Sequence, residues 1–162
     1  MTFEEFKANV ERWAQIRGIY DQSTEAHQQA KALEEIGEYL TAETDAERMD
    51  AIGDIAVCIV NAAKLDDSMK PLELSLYYKE SELSEVGGFI IDGNYEPALS
   101  SLADYALSEG HDIWDCLEAA WNEIKHRKGM MIDGKYVKWE SLNEEQRAEF
   151  NRRDHGNTLI RQ

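Results

Sequence analysis

Apolar residues recur every three or four positions along most of this chain, and only 2 prolines interrupt the pattern. A period of about 3.6 residues is typical of helices that bury one face, so the sequence predicts an all-α fold, a helical bundle. Thr2 with Glu5 and Thr44 with Glu47 match the Ser/Thr-x-x-Glu pattern that begins helices. We therefore expect helices whose apolar stripes meet in one core.

Helices are predicted over residues 2–17, 23–40, 44–63, 71–83, 95–109, 112–128 and 143–153. On the second of them the predicted buried residues are Ala26, Ala30, Leu33, Ile36, Gly37 and Leu40. The short connection 19–22 is expected to be a loop, and segment 86–91 fits no pattern well. Asp133-Gly134, between two short β-prone runs, predicts a small C-terminal β-hairpin over 130–138.

The length and charge of the chain exclude several classes of protein. A chain of 162 residues fits a single domain, residues 1–162, in which 139–162 are expected to form a peripheral tail. A net charge of −16 repels phosphate backbones and predicts no binding to nucleic acid. No apolar run is long enough for a membrane span, and the acidic N-terminus has no signal-peptide pattern, so no membrane association and a cytoplasmic location are expected. Cys58 and Cys116 are interpreted as buried apolar residues.

Two predicted helices carry the same short pattern, EEIGE on the second and DAIGD on the third, in which Ile-Gly precedes an acid. Residues four apart lie about 40° from each other around a helix. Glu34 therefore shares a face with Glu38, and Asp50 shares one with Asp54. Glu35, three residues before Glu38, also reaches that side. The pattern predicts two acidic helix faces of similar geometry.

Such a pattern is unfavourable in an isolated helix. Like charges four apart cost a few tenths of a kcal/mol, and a helical glycine costs about 1 kcal/mol relative to alanine. A divalent cation, which prefers several carboxylate oxygens, offsets the repulsion. Gly37 and Gly53 are expected to let the two helices approach closely, so that acids of both surround a metal cluster. The alternative is a solvated acidic face, which a chain with 33 acidic residues produces by chance.

The two patterns resemble the motifs of the MazG-like nucleoside triphosphate pyrophosphohydrolases, a family of the all-α NTP pyrophosphatase superfamily. That family carries Glu-x-x-Glu on one helix and Glu-x-x-Asp on the next. EEIGE matches the first motif. DAIGD departs from the second, because Ala51 stands where many members have Glu, and Asp50 is expected to supply the carboxylate instead. The DAIGD form is similar to that of phage and bacterial variants.

The resemblance extends beyond the acids. Residues 13–18, the Gln-x-x-Lys-x-x-Glu-Glu pattern that begins at Gln28, and the segment 116–129 are similar to parts of these proteins. It covers roughly residues 5–65 and 110–138 and implies a MazG-like helical bundle.

The resemblance also implies Mg²⁺- or Mn²⁺-dependent hydrolysis of a nucleoside triphosphate to the monophosphate and pyrophosphate, in a homodimer or homotetramer. The expected metal ligands are Glu35, Glu38, Asp50 and Asp54. Divalent ions held there would lower the pKa of a bound water and neutralise charge as the P–O bond breaks. The expected catalytic residues are Glu34, Glu35, Glu38 and Asp54. In this set Glu34 is either a ligand or the base that orients the water.

A second group of residues is expected to bind the substrate: Trp13, Gln28, Lys31, Asn122, Lys125, Arg127 and Lys128. The basic residues among the last four suit the outer phosphates, although a basic final turn also complements the helix dipole. Trp13 either stacks on a base or belongs to the core. Gln28 and Lys31 either reach the nucleotide or lie on the surface. A purine nucleotide such as dGTP is the candidate substrate, with nucleotide-pool control as the role.

Two other interpretations remain open. Within the same superfamily, the chain could be a dUTPase-like enzyme or a phosphoribosyl-ATP pyrophosphohydrolase, because no base-reading motif is evident. Outside the enzymes, a small acidic helical protein could imitate DNA and occupy the groove of a basic partner. A mimic explains the charge of −16 but not the repeated Ile-Gly-acid pattern.

Overall fold

The computed structural model of the protein describes residues 1–68 and 70–160, with side chains up to residue 156. These residues form α1 (Phe3–Ile16), α2 (Ile19–Gln22), α3 (Glu25–Thr41), α4 (Asp45–Leu65), α5 (Leu83–Ile91), α6 (Tyr95–Ser108), α7 (Ile113–Ile124), β1 (Gly129–Ile132), β2 (Lys135–Lys138), a 3₁₀ turn (Trp139–Ser141) and α8 (Glu144–Ile160). The predicted all-α fold with a small C-terminal hairpin is confirmed. Met69, and Arg161 and Gln162 at the end of the expected tail, lie outside the described residues.

Side-chain caps begin the first helices close to the predicted positions. The hydroxyl of Thr2 accepts the backbone N–H of Glu5 at 3.2 Å, and the Glu5 carboxylate accepts the N–H of Thr2 at 2.8 Å. An equivalent capping box begins α4. The cap of α3 is Thr24, one residue after the predicted Ser23. The connection 19–22, expected to be a loop, is the single helical turn α2.

Helix α4 lies at the centre of the core and packs against α1, α3, α6 and α7. From Ala51 to Ala62, every residue of α4 except the half-buried Asp54 is buried. A helix covered on all sides needs apolar residues all round, which the run from Ile55 to Val60 supplies. An acid on this helix is therefore held among its neighbours and has little room to turn toward solvent.

The predicted buried face of α3 is wrong. The residues that α3 buries are Gln28, Ala32 and Tyr39. The exposed residues include five of the six that the sequence assigns to the core: Ala26, Ala30, Leu33, Gly37 and Leu40. The reason is that α4 packs along the opposite side of α3, the side that also carries the half-buried Glu35.

The two glycines of the repeated pattern have different environments. A Cβ on Gly53 would lie only 2.5 Å from Cβ of Ala120 and would also collide with the carbonyl oxygen of Cys116, so Gly53 allows α4 to approach α7. A Cβ on Gly37 would meet nothing within 4 Å. The expectation that both glycines draw α3 and α4 together is therefore wrong, because one faces α7 and the other faces open space.

The segment 71–83 is not helical over most of its length, in contrast to the prediction. Residues 70–82 form neither helix nor strand, and α5 occupies 83–91, the region that the sequence left unassigned. Leucines at 72, 74 and 76 turn toward the core with a period of two. The carboxylate of buried Asp104 accepts the backbone N–H groups of Tyr77 and Tyr78 at 3.1 and 3.0 Å. These bonds replace the helical hydrogen bonds that the segment lacks.

The C-terminal part of the chain contains the predicted hairpin. Strands β1 and β2 pair antiparallel, with Met130 opposite Val137. Asp133 and Gly134 both have positive φ, as a tight two-residue turn requires. Helix α7 ends at Ile124, four residues before the predicted end. The tail packs against this hairpin through Phe150, which is 1% exposed.

Two further expectations concern the whole chain. No helix in the described residues is both long and apolar enough to cross a membrane. Cys58 and Cys116 are buried and unpaired, as the sequence predicts.

Candidate functional site

Five carboxylates from three helices lie close together at the junction of α3, α4 and α7. We call them the acid cluster: Glu35, Glu38, Asp50, Asp54 and Glu123. Glu38, Asp50, Asp54 and Glu123 each affect the protonation of at least one other member, and Glu35 is affected by three of them. The structure therefore brings together the four predicted metal ligands and adds Glu123 from α7, which the sequence did not single out.

Burial makes ionisation of Glu35, Asp50 and Asp54 unfavourable. For Glu35, burial followed by the charges of Asp54 and Glu38 raises the pKa well above its usual range. For Asp54, burial and then the charge of Glu123 raise the pKa to about 6, although Arg127 opposes the shift. For Asp50, burial and its contact with the Glu123 carboxyl raise the pKa, whereas the same contact lowers the pKa of Glu123. The cluster thus combines three half-buried acids, Glu35, Asp50 and Asp54, with two exposed ones, Glu38 and Glu123.

The expected catalytic residue Glu34 lies outside this cluster. Its side chain is exposed, and it is not among the charges that act on Glu35, Asp50 or Asp54. Successive residues point about 100° apart around a helix. Since Glu35 faces α4, Glu34 is turned toward solvent. The two acids of α3 that belong to the acid cluster are Glu35 and Glu38, three residues apart.

The predicted basic residues are divided between two environments. Arg127 forms an ion pair with Glu123 and acts on Asp50 and Asp54. Lys125 donates to Asn122 Oδ1 at 2.9 Å on the exposed side of α7. The ammonium of Lys128 lies 5.5 Å from the ring centre of Trp139, toward the tail. Of these predicted phosphate ligands, only Arg127 faces the acid cluster.

The donor set of the cluster suits a hard divalent cation. Carboxylate oxygens are the ligands that Mg²⁺ and Mn²⁺ prefer. Glu35 Oε2 is buried and has no hydrogen-bond partner among the described residues, a costly state that a cation would relieve. As the side chains stand, no three His, Cys, Asp or Glu groups within the described part of the chain are placed to hold an ion together.

A cavity of about 480 Å³ opens beside the acid cluster. Its walls come from α1, α3, α4, the turn after α7 and the hairpin. Glu35 and Asp54 line it together with three cations, Lys31, Arg127 and Lys135. In a chain with a charge of −16, these cations provide local positive charge next to the acids. The arrangement can accept an anion and a divalent cation side by side.

The hairpin is held in place as one wall of this cavity. The side chain of Gln22 accepts the N–H of Gly134 at 3.0 Å and donates to the carbonyl of Met131 at 2.9 Å. Arg17 donates through Nε to the carbonyl of Arg127 at 3.1 Å. These bonds link α1 and α2 to the chain that follows α7.

The remaining predicted substrate residues also line the cavity. Trp13 is half-buried, its indole N–H donates to the Ile124 carbonyl at 2.8 Å, and the Arg17 guanidinium lies 4.5 Å from its ring centre. Gln28 is buried, in contrast to a surface role, and Lys31 is exposed at the rim. Trp13 therefore belongs partly to the core and partly to the cavity wall.

Sequence reasoning missed several residues of the site. Asn61 lies seven residues after Asp54, on the same face of α4, a spacing that could have revealed it. Glu123 lies four residues before Arg127, the ion-pair spacing on a helix. Lys135 and Tyr136 reach the cavity through the hairpin. No local signal predicts where the hairpin packs.

No protein-family model, no curated protein and no solved structure matches the chain. The functional interpretation therefore depends on the residues of the site and their geometry.

Proposed function

We propose that this protein is a divalent-metal-dependent nucleoside triphosphate pyrophosphohydrolase, which cleaves its substrate to the monophosphate and pyrophosphate. The observation that carries the proposal is the cavity in which Glu35 and Asp54 face Lys31, Arg127 and Lys135. A phosphate chain is an anion, so it binds a strongly acidic protein only where the local charge of the protein is positive. The cations and the acid cluster, once it holds a metal, together provide that reversal.

Each part of the site has a role in this proposal. Glu35, Glu38, Asp50 and Asp54 would hold Mg²⁺ or Mn²⁺, which when bound lowers the pKa of a water and neutralises charge on the phosphates. Arg127 binds and orients the phosphates from the side of α7. Glu35 is better placed than the exposed Glu34 to accept the proton of the attacking water, because Glu35 lines the cavity beside Asp54 and Glu34 does not.

The test is a product assay. The purified protein is incubated with each common NTP and dNTP, including dUTP, and with phosphoribosyl-ATP, in the presence of Mg²⁺ or Mn²⁺. We expect monophosphate and pyrophosphate from a preferred nucleotide, and no product when EDTA removes the metal. The preferred nucleotide distinguishes a pyrophosphohydrolase that acts on a purine nucleotide such as dGTP from the dUTPase-like and phosphoribosyl-ATP alternatives. No product from any nucleotide with either metal contradicts the proposal and favours the acidic mimic.

We also propose that the active form is a homo-oligomer. The exposed residues of α3 at 26, 30, 33, 37 and 40 are spaced alternately by four and three, the spacing of a helix seam. Leu40 is 70% exposed, and Ile91 on neighbouring α5 is 61% exposed. A second copy of the chain, with the same stripe, would cover these apolar side chains.

The oligomer is tested by light scattering after size-exclusion chromatography. The unmodified chain is expected to elute with the mass of a dimer or tetramer. The substitution Leu40→Glu places a charge in the stripe and is expected to shift the population to monomers. Tyr77→Glu is the matched control, because Tyr77 is 58% exposed but belongs to the segment between α4 and α5 and not to the α3 stripe. A monomeric unmodified chain would contradict the proposal.

A further inference from the structure

Helices α3 and α4 each place a buried amide side chain at the same distance from the acid cluster. The two helices are joined by a three-residue turn and pack along each other, so they run antiparallel. Gln28 comes seven residues before Glu35 on α3, and Asn61 comes seven residues after Asp54 on α4. At 1.5 Å per residue, each amide lies about 10 Å along its helix from the acid. Both amides line the cavity.

Asn61 is held in a defined orientation. Its side chain is 2% exposed, and Oδ1 accepts the hydroxyl of Tyr20 at 2.7 Å. Tyr20 is itself largely covered, and burial raises the pKa of its hydroxyl, which therefore stays a donor. Nδ2 of Asn61 donates to no group among the described residues and is not one of the fully buried atoms that lack a partner, so it is open to the cavity that Asn61 lines. This N–H donor is left for a ligand in the cavity.

Gln28 has the complementary arrangement. It is 4% exposed, and its Nε2 donates to the hydroxyl of Ser23 at 3.0 Å. Its Oε1 has no hydrogen-bond partner within the described part of the chain. An unengaged donor and an unengaged acceptor thus open to one cavity from two facing helices, where a single ligand can satisfy both.

We propose that Asn61 and Gln28 read the nucleobase of the substrate, with Tyr20 as the positioning residue that orients the Asn61 amide. This inference rests on the proposed function and names the part of the nucleotide that the far end of the cavity binds. Gln28 Oε1 accepts an N–H of the base edge, and Asn61 Nδ2 donates to an adjacent ring nitrogen or carbonyl oxygen. The separation from Glu35 and Asp54 leaves room for a sugar and a base when the phosphates lie at the acid cluster.

The chemistry explains how the site distinguishes nucleotides. A donor and an acceptor held rigidly by Tyr20 and Ser23 match only a base edge that presents its own groups in the reverse order. A base that presents its groups in the wrong order leaves the Asn61 donor and the Gln28 acceptor unpaired, and the lost hydrogen bonds weaken its binding. Hydrophobic contact alone would not discriminate between such bases. Selectivity therefore depends on the orientation of the amides, which the partner hydroxyls set.

The experiment measures base selectivity separately from turnover. The α,β-imido triphosphates of deoxyadenosine, deoxyguanosine, deoxycytidine and thymidine, which resist cleavage at the scissile bond, are titrated with Mg²⁺ into the full chain by calorimetry. The unmodified protein is expected to prefer one base by about 10- to 100-fold. Asn61→Leu is expected to reduce this ratio to nearly one. Tyr20→Phe, which removes only the hydroxyl and keeps the packing, is expected to reduce the ratio by about tenfold.

Tyr39→Phe is the matched control, since it removes a hydroxyl from a buried tyrosine of α3 outside the cavity. Its selectivity ratio is expected to equal that of the unmodified chain, although loss of the hydrogen bond with Tyr105 is expected to lower the melting temperature slightly. Binding of all four analogues with equal affinity, or of none, overturns the inference. So does an unchanged ratio in folded Asn61→Leu and Tyr20→Phe. Base-selective binding without hydrolysis of any triphosphate overturns the proposed function alone.

Discussion

Replacing Gly53 with alanine is expected to lower the free energy of unfolding by about 3 kcal/mol, because the added methyl group collides with the backbone of α7. The new Cβ would lie 2.5 Å from Cβ of Ala120 and against the carbonyl oxygen of Cys116. A carbonyl in the middle of a helix cannot rotate away, so α4 and α7 must separate. In a domain of this size the melting temperature is expected to fall by roughly 10 °C.

The same substitution at Gly37 is the matched control. Both glycines are helical and both follow Ile in the repeated pattern, but no atom lies within 4 Å of a Cβ on Gly37. Gly37→Ala is therefore expected to leave stability unchanged or to raise it by up to about 1 kcal/mol, the helix-propensity difference. Thermal and urea unfolding followed by circular dichroism measure both variants. Equal losses at the two positions would contradict the close approach of α4 to α7.

Neutralising an acid at the centre of the cluster is expected to abolish turnover without unfolding the chain. Glu38→Gln and Asp54→Asn each keep the shape of the side chain and remove a charge that would hold the metal. A metal ion supplies several kcal/mol of transition-state stabilisation, so turnover should fall by about 10³-fold. The helical circular dichroism is expected to remain near that of the unmodified chain, since the substitution relieves like-charge repulsion and the burial of a charge.

A second measurement separates metal binding from general damage. Mg²⁺ or Mn²⁺ at millimolar concentration is expected to raise the melting temperature of the unmodified protein by linkage to the native state. The two variants should lose most of that shift. Glu118→Gln is the matched control, because Glu118 is an exposed acid of α7 and does not act on the cluster. Unchanged activity in both Glu38→Gln and Asp54→Asn would contradict the metal-site hypothesis.

Part of the site was predictable because helices repeat with a known period. The spacing within EEIGE and DAIGD is enough to place Glu38 and Asp54 near their neighbours on the same helix, and the cluster contains both. The spacing alone could not choose between Glu34 and Glu35 as the partner of Glu38. That choice depends on which side of α3 is covered by α4. The stripe of α3 that was predicted to be buried lies on the exposed side instead.

The segment 70–82 also shows that a local pattern does not always specify the local conformation. Leucines at 72, 74 and 76 contain the alternation typical of an extended chain, but Pro71 and the residues after it also fit a helix. In the structure the segment is not helical, and Asp104, far along the chain on α6, accepts its backbone N–H groups. A side chain about 26 residues away, placed by the packing of α6, decides the local conformation.

Local sequence patterns were enough to predict α1, α3, α4, α6, α7 and α8, the capping boxes of α1 and α4, the hairpin turn and the acids of the two repeated patterns. All of these depend on neighbours within about seven residues, through hydrogen bonds and side-chain periodicity. The tertiary structure alone decided that Gly53 faces α7, that Glu123 joins the acids, and that Tyr20 orients Asn61. These relations join distant segments. They follow from how whole helices pack in three dimensions, which the pattern within any one helix does not specify.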